Sequence, residues 1–452
     1  MANAELGVNA NDRLQQLVER LERVEGFAEV VASLLAGHGA TLDGVRGSSC
    51  ALVAAALANH APGPLVVVLP QPGEIDDFCD DLAVFSEATP ERFPAWEALT
   101  AERSIDDDVC GDRLRVLKLL QQLKQADQAE NGKPGKSAQR DATRGSTFVR
   151  PPSAFILVAS IQGLMQPVPS EELLARQTRR LVVGNTVDVE ALARWLVEQG
   201  FHNTSAVQLP GEFSSRGGIL DLFAPDWFEP VRVELFGDQV ESIRRFEVET
   251  QRSLGGVDSI ELTVLDPRVV EREHLAAYLP ANAWFLLVEP GQIDDEARNY
   301  ANRQERPGDV HAPQAVRERI YRFPSVTASG ISIGSMETTC RLKIESVERF
   351  SGDIAKVRHE LDTAGEGQEV FLVSQTDAEA KRLAEIFAES RLAEQGKLHF
   401  PLGRLRAGFR LVADRIVLIS GNELFHRTDL SRPSRRRLGR VIDSFLELRE
   451  GD

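Results

Sequence analysis

Short, continuous apolar runs recur along the chain, each bounded by proline, glycine or polar residues. They stand at Pro64–Pro70, Ala154–Ser160, Trp284–Pro290, Glu369–Gln375 and Arg415–Ser420. Runs this short and this uniformly apolar predict parallel strands that are covered on both faces. Helical patterns lie between them, at Asp76–Ser86, at Asp112–Lys124 and, behind a Thr376/Asp377 cap, at Asp377–Arg391. Strands alternating with helices predict α/β layers built on parallel sheets.

Two segments depart from this alternation. Gln125–Arg150 is polar and almost free of large apolar residues, which predicts a disordered surface insertion or loop. Glu171–Arg252 combines a helical pattern with three strand-like pieces, which predict a small α+β module set between α/β pieces. The helix is expected at Val187–Gly200, and the strands at Ile219–Phe223, Val231–Phe236 and Val240–Val248.

Length and composition are those of an ordinary globular protein with several cores. The 452 residues predict about three domains at roughly 150 residues each. Apolar residues make up 42% and charged residues 27%, which excludes a wholly disordered chain. The net charge of -17 argues against general coating of DNA, because duplex binding depends on Lys and Arg displacing counterions. Gly403–Arg440 is the exception, since ten Arg and three acidic residues give it a charge of +7.

The sequence carries no sign of a targeting segment or a metal motif. Met1–Phe27 mixes acids and bases without an apolar core, so we expect no signal peptide. No apolar run approaches the ~18 residues that a membrane span needs. The four cysteines lack Cys-x-x-Cys spacing and the eight histidines are scattered, so we expect reduced thiols, no metal site and no disulfide framework. These features predict a cytoplasmic protein without membrane contact.

A turn with the composition of a phosphate-binding loop runs from Gly44 to Ala51 (GVRGSSCA) and precedes a helix of small residues. A working loop requires Gly-x-x-x-x-Gly-Lys-Ser/Thr, in which the lysine balances phosphate charge and the hydroxyl holds Mg²⁺. Gly47 lies within the turn, but Ser49, Cys50 and Ala51 occupy the Gly, Lys and Ser/Thr positions. We therefore expect no nucleotide hydrolysis here, and only weak attraction of an anion by the helix amides.

A second eroded motif follows the apolar strand that ends at Val288. A Walker B motif would place Asp-Glu at this point, whereas the chain has Val288 and Glu289. Two eroded motifs on α/β elements indicate a motor domain retained as a scaffold, with Glu289 part of a non-functional nucleotide loop. Two unrelated α/β turns remain an equal alternative from these residues alone.

A candidate binding surface lies in the α+β module. Gly211–Phe223 has the pattern of a turn entering a strand, and Val231–Asp238 contains a second strand. Since strand side chains alternate between faces, Arg232, Glu234 and Phe236 share the face opposite the apolar one. Phe beside Arg on a polar face is typical of an interface hot spot. The alternative is that Phe236 packs under a neighbouring helix and Arg232 pairs with Glu234.

Three stretches of the sequence indicate a family. Pro94–Leu114, Gly211–Phe223 (GEFSSRGGILDLF) and Pro230–Ser253 (PVRVELFGDQVESIRRFEVETQRS) closely resemble the N-terminal part of the bacterial transcription-repair coupling factors, the Mfd family. The eroded loop GVRGSSCA fits the same position in that family. The chain is also similar to the excinuclease subunit UvrB, but it lacks UvrB's intact Walker A motif and long DNA-clamping hairpin. The resemblance covers most of the chain and is strongest over residues 205–253.

The resemblance implies an α/β fold: a degenerate P-loop, helicase-like parallel-sheet domain with an inserted α+β domain, followed by a small α/β domain. The first would comprise residues 28–168 and 254–350, the inserted UvrA-binding domain 169–253, the small domain 351–428, and a basic linker 429–452. The family's RNA-polymerase-interacting, translocase and C-terminal domains would lie beyond this sequence. We therefore expect ATP and Mg²⁺ use and contacts with RNA polymerase and duplex DNA there, and no cofactor in this chain.

The resemblance also implies three residues that recruit UvrA. Arg216 matches the Arg of the family's Ser/Thr-Arg-Gly turn, and Arg232 and Phe236 match its Arg-x-x-x-Phe strand. Strand alternation independently places Arg232 and Phe236 on one open face, whereas Arg216 depends on the family match alone. Weaker flanking candidates are Glu212, Glu234 and Arg244.

The leading hypothesis is a non-enzymatic, UvrA-recruiting module of transcription-coupled nucleotide excision repair. One alternative is an ATP-dependent translocase or helicase-like nucleotide hydrolase, against which Cys50 and Ala51 argue. Another is direct DNA binding, either as a UvrB-like damaged-DNA-binding protein or through a basic cluster whose usual interpretation is a solvated linker face. That cluster comprises Arg432, Arg435, Arg436, Arg437 and Arg440.

Overall fold

The computed structural model describes residues 5–97, 103–105, 107–131, 155–268, 273–331, 338–347 and 350–425. These residues form two compact units. The first unit contains the described residues of Met1–Ala95, Arg150–Gln166 and Leu279–Leu430, and the second unit those of Trp96–Val149 and Pro167–Tyr278. The basic cluster between Arg432 and Arg440 lies outside the described residues.

Helices and strands alternate along most of the described chain. The helices are α1 (Glu5–Glu22), α2 (Phe27–Leu35), α3 (Ser49–His60), α4 (Ile75–Phe85), α5 (Asp108–Asn131), α6 (Ile161–Met165), α7 (Glu171–Arg176), α8 (Val189–Glu198), α9 (Pro290–Arg303), α10 (Pro313–Ile320), α11 (Ile354–Ala364), α12 (Asp377–Phe387), α13 (Arg391–Glu394) and α14 (Gly421–Phe425). The strands are β1 (Ala40–Asp43), β2 (Leu65–Leu69), β3 (Glu91–Phe93), β4 (Ile156–Ser160), β5 (Thr178–Val182), β6 (His202–Asn203), β7 (Glu212–Arg216), β8 (Ile219–Phe223), β9 (Val231–Phe236), β10 (Gln239–Phe246), β11 (Ser253–Gly256), β12 (Ser259–Thr263), β13 (Trp284–Val288), β14 (Ser325–Ser329), β15 (Thr339–Arg341), β16 (Ile344–Ser346), β17 (Glu369–Val373), β18 (Leu398–His399), β19 (Phe409–Leu411) and β20 (Ile416–Ser420).

A seven-stranded sheet organises the first unit, in the order β15-β1-β14-β13-β2-β4-β3. All of its pairings are parallel. Strands β2, β4 and β13 are buried along their whole length, which accounts for their unbroken apolar sequences. The parallel sheet predicted from these runs is confirmed.

Helices α1 and α2, which the sequence analysis did not predict, pack onto the same core. In α1, Leu14, Leu17 and Leu21 are buried at spacings of three and four residues. This spacing gives the helix one apolar stripe, and the stripe lies against α3 and α4. The periodic leucines were the available sequence signal for this helix.

A second sheet of the first unit has five strands, in the order β16-β19-β20-β17-β18. Strand β17 pairs in parallel with β20 and β18, while β19 pairs antiparallel with β16 and β20. Helix α12 begins at the predicted cap, where the Thr376 hydroxyl accepts a hydrogen bond from the Glu379 amide at 3.2 Å. The parallel pairing of β17 and β20 agrees with the two apolar runs that predicted them.

The second unit is built on a six-stranded sheet in the order β11-β10-β9-β8-β7-β6. Strands β7 to β11 pair antiparallel, and β6 joins β7 in parallel. One face of this sheet forms a core with α8, in which Leu192 and Leu196 pack with Phe213, Leu220 and Val233. A two-stranded pair of β5 and β12 completes the unit's strands within the described residues. The predicted helix followed by antiparallel strands is confirmed.

One segment differs from its predicted structure. Gln125–Arg150 was expected to be a disordered loop, but α5 continues through Asn131, so the first seven residues are helical. The polar sequence concealed this extension of the helix because exposed helix positions need no apolar residue. The rest of the segment lies outside the described residues, and the predicted domain boundaries stay a prediction. Among the described helices, none is both long and apolar enough to cross a membrane.

Candidate functional site

The three predicted partner-binding residues lie on one face of the six-stranded sheet. Arg216 is opposite Ile219, Ile219 is opposite Glu234, and Asp221 is opposite Arg232. Directly paired residues project to the same side of a sheet, and so do residues two apart along a strand. We call this side the outer face, and it carries Arg216, Ile219, Asp221, Arg232, Glu234 and Phe236.

The register of the strands therefore brings Arg216 to the face of Arg232 and Phe236, which sequence alternation alone did not show. Strands are spaced by about 4.8 Å, so the Arg216 and Arg232 backbones lie within roughly 12 Å of one another. Arg216 is exposed, and it has no ion-pair partner within the described part of the chain. It offers a free guanidinium at the end of β7.

Phe236 lies at the end of β9 with 80% of its surface exposed. Ile219, on the neighbouring strand, is 41% exposed. The alternative in which Phe236 packs under a helix is therefore wrong. An aromatic and an aliphatic side chain held in water beside charged groups have the composition of an interface anchor.

A tight hairpin places Arg216 and Ile219 beside this aromatic. Gly217 and Gly218 connect β7 to β8, and Gly218 has a φ of 89°. The Leu235 amide donates to the Gly218 carbonyl oxygen at 2.8 Å. A Cβ atom on Gly218 would stand 3.1 Å from the Leu235 carbonyl oxygen, so the close approach of the hairpin to β9 requires glycine.

Arg232 is held by several groups of its own unit. Its Nε and Nη2 atoms donate to the two carboxylate oxygens of Asp221 at 2.7 and 2.8 Å, and Nη2 also donates to Gln251 Oε1 at 3.2 Å. The guanidinium carbon lies 4.8 Å from the centre of the Phe246 ring. The hydrogen bonds to Asp221 raise the pKa of Arg232 above its ordinary value.

The alternative pairing of Arg232 with Glu234 is wrong. Glu234 instead accepts a hydrogen bond from the Ser242 hydroxyl at 2.5 Å and lies 3.3 Å from Arg244 Nη2. Glu212 accepts from the backbone amides of Gln208 and Leu209 at 2.7 and 3.0 Å. The charges of these flanking candidates are thus engaged within the unit.

Sequence reasoning missed Ile219, Asp221 and Gln251 as members of the site. Ile219 and Asp221 share the alternation of the ILDLF strand, so the pairing of β8 with β9 was the missing information. Gln251 comes from the turn between β10 and β11, and no periodic pattern marks it.

The eroded loop Gly44–Ala51 runs from the end of β1 into the first turn of α3 in the first unit. Gly44 and Gly47 have φ values of 82° and 56°. The Ser49 hydroxyl donates to the Arg46 carbonyl oxygen at 2.7 Å and accepts from the Arg46 amide at 3.0 Å, so it is consumed within the loop. Cys50 and Ala51 are buried, and burial raises the pKa of the Cys50 thiol.

The segment Arg404–Gly408 lies against this loop. The Ala407 amide donates to the Ser48 hydroxyl oxygen at 2.9 Å, and the Arg406 amide donates to the Asp81 carboxylate at 2.7 Å. A Cβ atom on Gly47 would lie 3.6 Å from the Ala407 Cβ. Backbone and side chains of the same unit thus occupy the space next to the start of α3.

Glu289, from the second eroded motif, follows β13 and precedes α9 with a φ of 54°. Its Oε1 atom accepts a hydrogen bond from the Gly330 amide at 3.0 Å. Arg46 Nη2 donates to the carbonyl oxygen of the same Gly330 at 3.1 Å. Glu289 and the Gly44–Ala51 loop are therefore neighbours, joined through Gly330.

Comparison with known proteins first identifies a domain family within the second unit. Residues 180–265 match the family described as the UvrB interaction domain. This range contains β6 to β12 and the whole outer face. This part of the second unit is therefore similar to the UvrB interaction domain.

The relatives carry a more particular name, Transcription-repair-coupling factor. That of Mycobacterium bovis is 35% identical over 209 residues, which are 46% of this chain and 15% of the relative. That of Myxococcus xanthus is 32% identical over 243 residues, 52% of this chain and 18% of the relative. That of Staphylococcus aureus is 36% identical over 118 residues, 26% of this chain and 10% of the relative. The resemblance to the Mfd family is confirmed, and it spans less than a fifth of each relative's length.

Proposed function

We propose that this chain recruits UvrA through the outer face, with Arg216, Arg232 and Phe236 as its anchors. The observation that carries the proposal is the 80% exposure of Phe236 on the same sheet face as two arginines, inside the segment that matches the UvrB interaction domain. An exposed phenylalanine next to arginine gives a partner both an apolar anchor and a site for a carboxylate.

The names of the relatives support a biological role for this recruitment. We propose that binding of UvrA brings nucleotide excision repair to transcribed DNA. Contacts with RNA polymerase and duplex DNA, together with the use of ATP and Mg²⁺, are proposed for the longer relatives and not for the described residues of this chain.

We also propose that the described units do not hydrolyse nucleotides. Cys50 and Ala51 replace the lysine and the hydroxyl that a phosphate loop uses, and both are buried. Ala407 also contacts Ser48 and lies beside Gly47, in the turn that leads into α3. These features support a P-loop-like scaffold without catalysis.

The deciding experiment is calorimetric titration of the full chain with purified UvrA. Replacing Arg216, Arg232 and Phe236 together by alanine is expected to weaken binding by at least about 100-fold, since each interface anchor contributes on the order of 2 kcal/mol.

Phe228→Ala is the matched control, because Phe228 is also 80% exposed but lies in the loop between β8 and β9. This variant should bind UvrA like the unmodified chain. UvrA binding that survives the triple substitution would refute the assignment of the site.

A further inference from the structure

We propose that Asp221 and Gln251 are positioning residues that fix the Arg232 guanidinium flat on the outer face, so that the partner meets a rigid planar group instead of a mobile charge. The inference rests on the proposed function and deepens it. It adds two residues to the site and defines what the partner has to offer Arg232.

The Asp221 carboxylate fixes one edge of the guanidinium. Asp221 and Arg232 are directly opposite on β8 and β9, and their side chains meet through two hydrogen bonds of 2.7 and 2.8 Å. Their side chains are 13% and 28% exposed, so water competes only weakly for this pair. A two-point contact of this kind sets the orientation of the guanidinium plane as well as its position.

The Phe246 ring fixes one face of the same group. Phe246 is 1% exposed, and the guanidinium carbon lies 4.8 Å from the ring centre. With one edge on Asp221 and one face against Phe246, the guanidinium has little rotational freedom. The Nη1 atom makes no hydrogen bond with the described residues, so it is the donor left for a partner.

Gln251 adds a third contact at a conformational cost. Its φ is 56°, in the left-handed region that residues with a side chain rarely adopt. Its Oε1 accepts from Arg232 Nη2 at 3.2 Å, while its Nε2 donates to the Val248 carbonyl oxygen at 3.0 Å. Glycine would be less strained at this position, so the two hydrogen bonds of the glutamine side chain are what the strained backbone gains here.

We call the contacts that hold Arg232 to Asp221, Phe246 and Gln251 the lock. The lock changes the charge that the outer face presents to a partner. Asp221 neutralises Arg232, and Arg244 lies beside Glu234, so Arg216 is left as the free cation of the outer face among the described residues. We infer a partner surface with an apolar pocket for Phe236, a carboxylate for Arg216 and a single oxygen acceptor for Arg232 Nη1.

A double-mutant cycle on the full chain tests the role of Asp221. Asp221→Asn is expected to weaken UvrA binding about 10-fold, but less than about 2-fold when Arg232 is already alanine, because Asp221 acts through Arg232. Arg232→Lys keeps the charge but lacks the planar fork, and it should lose as much affinity as Arg232→Ala. An equal loss from Asp221→Asn in both backgrounds, or no loss in either, overturns the proposal.

Gln251→Gly separates positioning from structural support. Glycine relieves the left-handed strain, so the melting temperature should stay the same or rise, while UvrA affinity falls about 3-fold or more. A merely structural glutamine would show the reverse, with lower stability and unchanged binding. Unchanged UvrA affinity in this variant counts against the proposed role of Gln251.

The lock is also measurable without UvrA. In ¹⁵N-labelled protein, the Arg232 Nε–H resonance, assigned by its loss in Arg232→Lys, should exchange slowly with water and should broaden or vanish in Asp221→Asn. If the unmodified chain fails to bind UvrA, the proposed function is refuted and this resonance alone decides whether the lock exists. If UvrA binds but the resonance exchanges freely, the lock is refuted and the proposed function stands.

Discussion

The side chains of the outer face differ in whether they are held by contacts within the protein. Arg232 is tied to Asp221 and Glu234 to Ser242, whereas Arg216 and Phe236 extend into water. Residue type and strand alternation placed Arg232 and Phe236 on one open face, and the family resemblance then selected them as binding residues. Neither line of reasoning found Asp221, because a strand's own pattern does not show which residue its neighbour places opposite.

Asp81 gives a prediction at the same scale. It is 3% exposed, and burial raises its pKa to about 7. The folded state therefore holds the proton more tightly than the unfolded state, and stability is lost as the pH rises from about 4 to 7. Asp81→Asn removes this titration, so from pH 5 to pH 7 the unmodified chain should lose about 1–3 kcal/mol of unfolding free energy relative to the variant.

Urea unfolding of both proteins at pH 5 and pH 7 measures the difference. Asparagine keeps an oxygen that can accept the hydrogen bond from the Arg406 amide, so we expect the variant to fold. Identical pH dependence of the two proteins would contradict the raised pKa of Asp81.

Secondary-structure elements set the spacing of the site. Strands β8 and β9 begin and end at the predicted residues, because both carry an apolar face over a buried core. Helix α1 was overlooked because its leucine stripe lies among charged residues. The end of α5 was missed because its sequence is polar and carries no apolar stripe. Pairing between strands distant in sequence, which defines the outer face, has no local signal.

The Gly217–Gly218 hairpin yields an element-scale prediction. Gly218→Ala combines a left-handed backbone with a 3.1 Å approach to the Leu235 carbonyl oxygen, so it should cost about 1–2 kcal/mol or more of stability and shift Arg216 relative to Phe236. Because Arg216 is shifted, the UvrA affinity of Gly218→Ala, measured by calorimetry, should be lower than that of the unmodified chain.

Gly200→Ala is the matched control for the hairpin. Gly200 has a φ of 93°, it follows α8 on the other side of the sheet, and a methyl group added to it would meet no heavy atom within 4 Å. This variant should lose a similar amount of stability without losing UvrA affinity. If both variants bind UvrA equally well, the hairpin does not set the geometry of the site.

At the scale of the whole molecule, one tertiary contact supports the proposal that this α/β scaffold does not hydrolyse nucleotides. Segment Arg404–Gly408, which follows β18 of the five-stranded sheet, bonds to Ser48 and Asp81 next to the eroded loop. Eroded residues were visible in the sequence, but this tertiary contact was not, since 359 residues separate Ser48 from Ala407. The missing lysine and this contact both support the proposal that the loop does not bind nucleotide.

We expect no ATP hydrolysis by the full chain, with or without UvrA, in a phosphate-release assay containing Mg²⁺. The physical reason is the absence of a cation and a hydroxyl at Cys50 and Ala51, both of which are buried. Glu289→Gln serves as the control. Turnover in the unmodified chain that this variant abolishes would show that the scaffold retains catalysis.

The strand order of the first unit has a consequence for synthesis on the ribosome. Strands β1 and β2 are not neighbours, and β14 and β13 stand between them. Leu65 in β2 pairs with Trp284, about 220 residues later, which at roughly 5–20 residues per second takes on the order of 10–40 s to emerge. Strands β6 to β11 emerge within that interval. The nascent chain can therefore complete the six-stranded sheet before the seven-stranded sheet receives its central strands.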